Sequence, residues 1–205
     1  GAPILLIHGM LFFAWTLLFL RQTTFVATGH TPNHRNWGMA GIAIATAMGI
    51  TVVLAAINSI KAAAVIGMAD EARRFTIVSL SGLVMFWAFF ALAIANIRNS
   101  DLHKRLMVLA NIPLMHAATA RIFMVLFAPP DAKGPPPVFV ALPPGIFVDL
   151  LIVVAIIHDW RKRGRPHTAY LTGGGVILAV QLLAVPISKT AEWMAIAKWV
   201  ESLAG

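Results

Sequence analysis

The chain has 205 residues, of which 59% are hydrophobic and only 12% charged, with a mean hydropathy of +0.81 and a formal net charge of +8. Soluble domains usually carry about 25% charged residues, so this composition reads as membrane-embedded. The basic residues form short clusters between apolar runs, which points to topology and anionic headgroups rather than nucleic acid. The absence of cysteine excludes disulfides, thiolate metal sites and cysteine nucleophiles.

Apolar runs of spanning length occur at about 3–27, 37–60, 76–97, 104–127, 143–160 and 169–188. Each is long enough to cross a hydrocarbon core roughly 30 Å thick as a helix. The first run is too long, too rich in Trp and Phe, and too poor in basic residues at its start to read as a signal peptide. Breakers separate the runs. Thr28-Gly29-His30-Thr31-Pro32-Asn33 makes the first turn, and Asn99-Ser100-Asp101 offers an N-cap. The Gly- and Pro-rich stretch from Ala128 to Pro144 reads as a stiff, non-helical loop. Because every spanning segment must satisfy its own backbone, the expected fold is all-α. It is a six-transmembrane-helix bundle of three helical hairpins, one domain over 1–188.

The tail over 189–205, KTAEWMAIAKWVESLAG, places Trp193, Ile196, Val200 and Leu203 at helical spacing. This predicts a short amphipathic helix lying in the membrane interface, anchored by Trp193 and Trp199. A frayed extension of the sixth helix is the alternative.

Alternating the connections separates the Lys and Arg residues into two sides. One holds Arg35, Arg98, Lys104, Arg105, Arg161, Lys162, Arg163 and Arg165. The other holds Lys61, Arg73, Arg74, Lys133, Lys189 and Lys198. The side with the RKRGR cluster is expected to be cytoplasmic, in a bacterial inner membrane, with both termini periplasmic. His34, His103 and His167 each open the second helix of an expected hairpin, a hint of internal repetition.

Charged and amide groups inside a span are costly and usually face the interior, pair, and mark a function. Counted inward from the outer face, His8, Arg121, Asp149 and Gln181 share a level within roughly one helical turn. They are expected to form an intramembrane polar cluster in which Arg121 and Asp149 make an ion pair; a purely structural clamp is the alternative. Arg21 is read as a snorkelling anchor. Pro113 should disturb the fourth helix near Asn111 and His116.

His103 and His116 stand thirteen residues apart, an interval found in two-haem membrane cytochromes, but no second helix carries a matching pair. A single haem b remains open, with His34, His103, His116 and His8 as candidate ligands and Arg121 as a propionate partner. His34, His103, His158 and His167 are candidate ligands for a divalent metal instead. No HExxH, Walker loop or GxSxG occurs. The glycines at 173–175 suit close helix packing.

The segments HGMLFFAWTLLFLRQTTFVATGHTPNHRNWGMAG, LHKRLMVLA with Arg121, and DLLIVVAIIHDWRKRGRPH resemble an uncharacterised family of small multi-pass bacterial inner-membrane proteins. Its pattern is HG…W…Q…HRxxG with LHKRxM…R. The resemblance implies topology and singles out His8, Gln22, His34, His103, Arg121 and Asp149; His116 and His158 depart from it. On function, the leading expectation is a haem-b or quinone-associated redox component of the membrane. The alternatives are a non-catalytic accessory subunit that binds lipid or packs within a larger membrane complex, and a small transporter.

Overall fold

The computed structural model describes Pro3 to Ala204. Gly1, Ala2 and Gly205, the ends of the expected domain and tail, lie outside the described residues. The described chain is helical: α1 (Pro3–Ala27), α2 (Thr31–Ala64), α3 (Ala69–Ala95), α4 (Ser100–Phe127), a 3-10 turn (Val138–Ala141), α5 (Leu142–Arg163), α6 (Thr168–Ile187) and α7 (Ala191–Ser202). Six of these segments are long and apolar enough to cross a membrane, and the protein is a multi-pass membrane protein.

Most helices run further than their apolar windows. α2 was expected over 37–60 and α3 over 76–97. Instead α2 starts at Thr31, and α3 starts at Ala69 with Asp70 and Glu71 in its first turn. Hydropathy ends where polar residues begin, but a helix continues as long as its backbone bonds are satisfied, and acidic groups favour its N-terminal end. The first turn shrinks accordingly to Thr28–His30, with Gly29 at φ 77°. α4 starts at Ser100, and the Asn99 side chain accepts the Leu102 N–H as its cap. The Pro-rich loop is also shorter than expected, because Val138 to Ala141 coil into a 3-10 turn that leads directly into α5.

The backbone clusters into two compact units, one running to Ser59 and one over Ile60–Leu203. In the first, α1 contributes buried Trp15, Leu18 and Phe25, and Leu18 lies 3.7 Å from where a Cβ on Gly41 of α2 would stand.

In the second unit α3 packs most extensively on α4, and α4 also contacts α5 and α6. The buried residues of α4 (Arg105, Leu106, Leu109, Ala110, Ile112 and Pro113) form the seam. Gly173 of α6 meets Leu109 so closely that a Cβ would lie 2.5 Å from Leu109 Cδ1. Gly134, at φ 79°, sits where any side chain would overlap the Met68 thioether, fixing the loop after α4 against the α2–α3 turn.

α7 is a separate helix rather than an extension of α6. Thr190 Oγ1 caps it by accepting the Trp193 N–H, at 3.2 Å. It docks on α3 through Ala197 and Val200, both buried. Trp193 Nε1 donates to Arg73 O at 3.0 Å, and Arg73 pairs with Glu201 at 2.8 Å. The expected apolar face is therefore divided. Ile196 and Leu203 are exposed, because packing on α3 selects the stripe through Trp193, Ala197 and Val200.

Candidate functional site

Two polar groups lie among the helices of the second unit. The first joins three helices. Asp149 of α5 accepts the Gln181 Nε2–H of α6 at Oδ2 (2.9 Å), and its Oδ1 lies 3.1 Å from His116 Nε2 of α4. Gln181 Nε2 is also 3.3 Å from His116 Nε2. His116 and Asp149 are mostly buried, with side chains 14% and 16% exposed. Gly145, one helical turn before Asp149, admits the Gln181 amide: a Cβ there would stand 3.0 Å from Gln181 Oε1. That oxygen is buried and has no hydrogen-bond partner.

Proton counting makes this cluster chemically active in principle. His116 Nε2 cannot both donate to Asp149 and accept from Gln181. With Nε2 protonated, the imidazole donates to the carboxylate; with Nε2 bare, its one lone pair accepts a single hydrogen bond, from Gln181 or from a protonated Asp149. With Nδ1 also protonated, imidazolium–carboxylate and imidazole–acid forms differ by one proton moved along the 3.1 Å line. Asp, Glu and His groups inside spans commonly relay protons.

The second group lies at the opposite ends of α4 and α5. Arg105 and Asp159 form a bidentate pair, Nε to Oδ2 and Nη2 to Oδ1, both 2.7 Å. Arg105 also bonds Asp101 and stands 5.8 Å from the centre of the Tyr170 ring. Asp101 in turn pairs with Lys104 and Arg163. His167 caps α6 by accepting the Ala169 N–H at Nδ1, 3.1 Å. Burial, followed by the positive charge of Arg105, pushes the His167 imidazole below its ordinary value of 6.5.

Of the expected cluster, Asp149 and Gln181 meet, but Arg121 does not join them. It is exposed and donates to Ala117 O of its own helix at 2.9 Å. The expected Arg121–Asp149 ion pair is replaced by His116–Asp149. Arg121 lies five residues beyond His116, which turns it about 140° around the helix. His8, in the first unit, bonds Thr51 of α2 at 3.4 Å; Thr51 gives its own hydroxyl hydrogen to Met48 O, so His8 Nδ1 is the donor. Gln22 Oε1 is buried without a partner.

His116 Nε2, the nitrogen an iron would need, is committed to Asp149 and Gln181. His103 Nδ1 donates to Ala93 O at 2.8 Å. His158 is exposed, with Asp159 at 3.9 Å, and His34 is half-buried. Among the described residues, no three His, Asp or Glu side chains come together as a metal site, so His103, His158 and His167 of the second unit do not assemble one.

Sequence reasoning passed over the Arg105–Asp159 bridge, reading Arg105 only as a topology marker. The available signal was Asp159 itself, one acid beside the basic run Arg161 to Arg165. No protein family, curated protein or solved structure matches the chain.

Proposed function

We propose that this membrane protein handles protons inside the bilayer at His116, Asp149 and Gln181, as a quinone-associated redox component. The observation that carries this reading is the 3.1 Å contact between His116 Nε2 and Asp149 Oδ1, held among three apolar helices. A quinone needs a hydrogen-bond donor for its carbonyl and a group that exchanges protons when it is reduced or reoxidised. The cluster supplies the proton-exchanging group and an unpartnered acceptor. The buried Gln181 Oε1 accepts from a quinol hydroxyl. Electrons enter or leave through a redox partner protein. The eight-to-six distribution of Lys and Arg supports an orientation with the Arg105 end cytoplasmic and both termini on the other side.

The test is to purify the protein in mild detergent, extract it with organic solvent and quantify bound quinone. Wild type is expected to retain quinone, and Asp149→Asn and His116→Phe are expected to lose most of it. Equal quinone in all three sinks the quinone reading. A proton-driven uptake that depends on Asp149 in reconstituted vesicles would make the same cluster a transporter's. A reversible visible difference spectrum on dithionite reduction would make this a haem protein.

A further inference from the structure

We propose that the cavity at the α5–α6 turn, lined by Arg163, Arg165, Pro166, His167 and Thr168, holds the phosphate of an anionic phospholipid. The site is separate from the cluster around Asp149 and goes beyond the function proposed for it. α5 ends at Arg163 and α6 begins at Thr168, and both are apolar spans. The turn between them therefore lies at a membrane–water boundary, at the depth of headgroups.

The charge balance favours an anion. Arg161, Lys162, Arg163 and Arg165 fall within five residues. Of these only Arg163 has an acidic partner, Asp101, and Asp101 is already shared with Lys104 and Arg105. Arg165 takes part in no ion pair among the described residues and lines the cavity. His167 adds a neutral donor. Its Nδ1 accepts the Ala169 N–H, so the ring carries its hydrogen on Nε2. The Thr168 hydroxyl lines the same cavity.

A free phosphate would need only these polar groups, whereas a lipid also needs a lane for its acyl chains. Exposed apolar side chains stand one turn deeper on both helices. Trp160, one turn before Arg163, is 62% exposed, and Leu171, one turn after His167, is 49% exposed. Both lie on the bilayer side of the cavity and on the helices that form it. Basic pockets between spans recur as sites for anionic headgroups.

The experiment is native mass spectrometry of the full chain released from nanodiscs of phosphatidylglycerol mixed with phosphatidylcholine. Wild type is expected to retain a phosphatidylglycerol. In Arg165→Gln, apparent affinity is expected to fall about fivefold, roughly the effect of one basic residue near a charged surface. Arg165 is exposed and unpaired, so the fold is not at risk. Lys133→Gln removes the same charge from another loop and is expected to change nothing. If Lys133→Gln weakens retention as much as Arg165→Gln, the effect is bulk charge and the site is overturned. If inorganic phosphate stabilises the lipid-free protein in an Arg165-dependent way and phosphatidylglycerol does not compete with it, the site is for free phosphate. Equal retention in wild type and Arg165→Gln also overturns it.

Discussion

Arg105 and Asp159 form a two-point ion pair, 2.7 Å at each contact, in which the arginine side chain is 2% exposed and the aspartate 6%. The pair joins α4 to α5 near one end of the second unit. Removing one partner leaves the other charged and buried, which typically costs about 3–5 kcal/mol. Asp159→Ala is expected to destabilise the protein by that order. Arg105→Met combined with Asp159→Leu is expected to recover most of the loss, since well-packed apolar residues often match a buried pair. A double-mutant cycle on thermal unfolding in detergent checks this. Equal, additive losses would show that the two side chains act independently.

Asp149 is expected to behave differently. Asp149→Asn keeps the shape and still accepts from Gln181, so the stability change should stay near ~1 kcal/mol. The carboxylate that pairs with His116, however, is gone. Quinone retained in mild detergent is expected to fall while the thermal midpoint barely moves. A stability loss as large as that of Asp159→Ala, with unchanged quinone, would make the cluster a structural clamp.

Gly173 tests the seam between α4 and α6. A Cβ would lie 2.5, 3.2 and 3.3 Å from three carbons of Leu109, which is fully buried. Gly173→Ala is expected to cost about 1–3 kcal/mol through overpacking. The added Leu109→Ala change should cancel that clash while bringing its own cavity cost. Gly175→Ala, with nothing within 4 Å of its Cβ, should cost nothing. Thermal midpoints of the three variants decide it, and a harmless Gly173→Ala would mean the helices are not in close contact there.

His167 gives the fold a pH dependence with a definite sign. Its folded-state value lies below 6.5, so the unfolded chain binds more protons in the window below 6.5. Stability contributed by this group is complete above 6.5 and falls on acidification through the lowered value. Protonation would also place a hydrogen on Nδ1 and abolish its acceptance of the Ala169 N–H. The groups facing it are Arg105 and Arg163, which oppose its charging, and Asp101 and Asp159, which favour it. The thermal midpoint is expected to fall between about pH 7.5 and about pH 5.5, around the histidine range. The fall should be smaller in His167→Asn, which keeps a cap but cannot titrate. An identical slope in both proteins would remove His167 from the explanation.

The spans were legible in the chain because hydrophobic length is a local property, and so were the Asn99 cap and the suspicion attached to Asp149 and Gln181. Partner choice was not. Counting residues inward places Arg121 at the depth of Asp149 and His116 a turn or more deeper, and depth says nothing of which way a side chain points around its axis. That angle carries His116 to α5 and leaves Arg121 exposed on its own helix. The same holds for α7: its periodicity marked Trp193 and Val200 but equally Ile196 and Leu203, and packing on α3 chose between them.

Composition and pattern alone made this a six-span membrane protein with ionisable groups inside it, since the cost of exposing polar backbone and charge to lipid acts on each segment separately. Only the tertiary structure decided that His116, not Arg121, meets Asp149, and that Arg105 is a buried half of an ion pair. Those outcomes depend on the rotation and contact of α4, α5 and α6 together, which no single helix encodes.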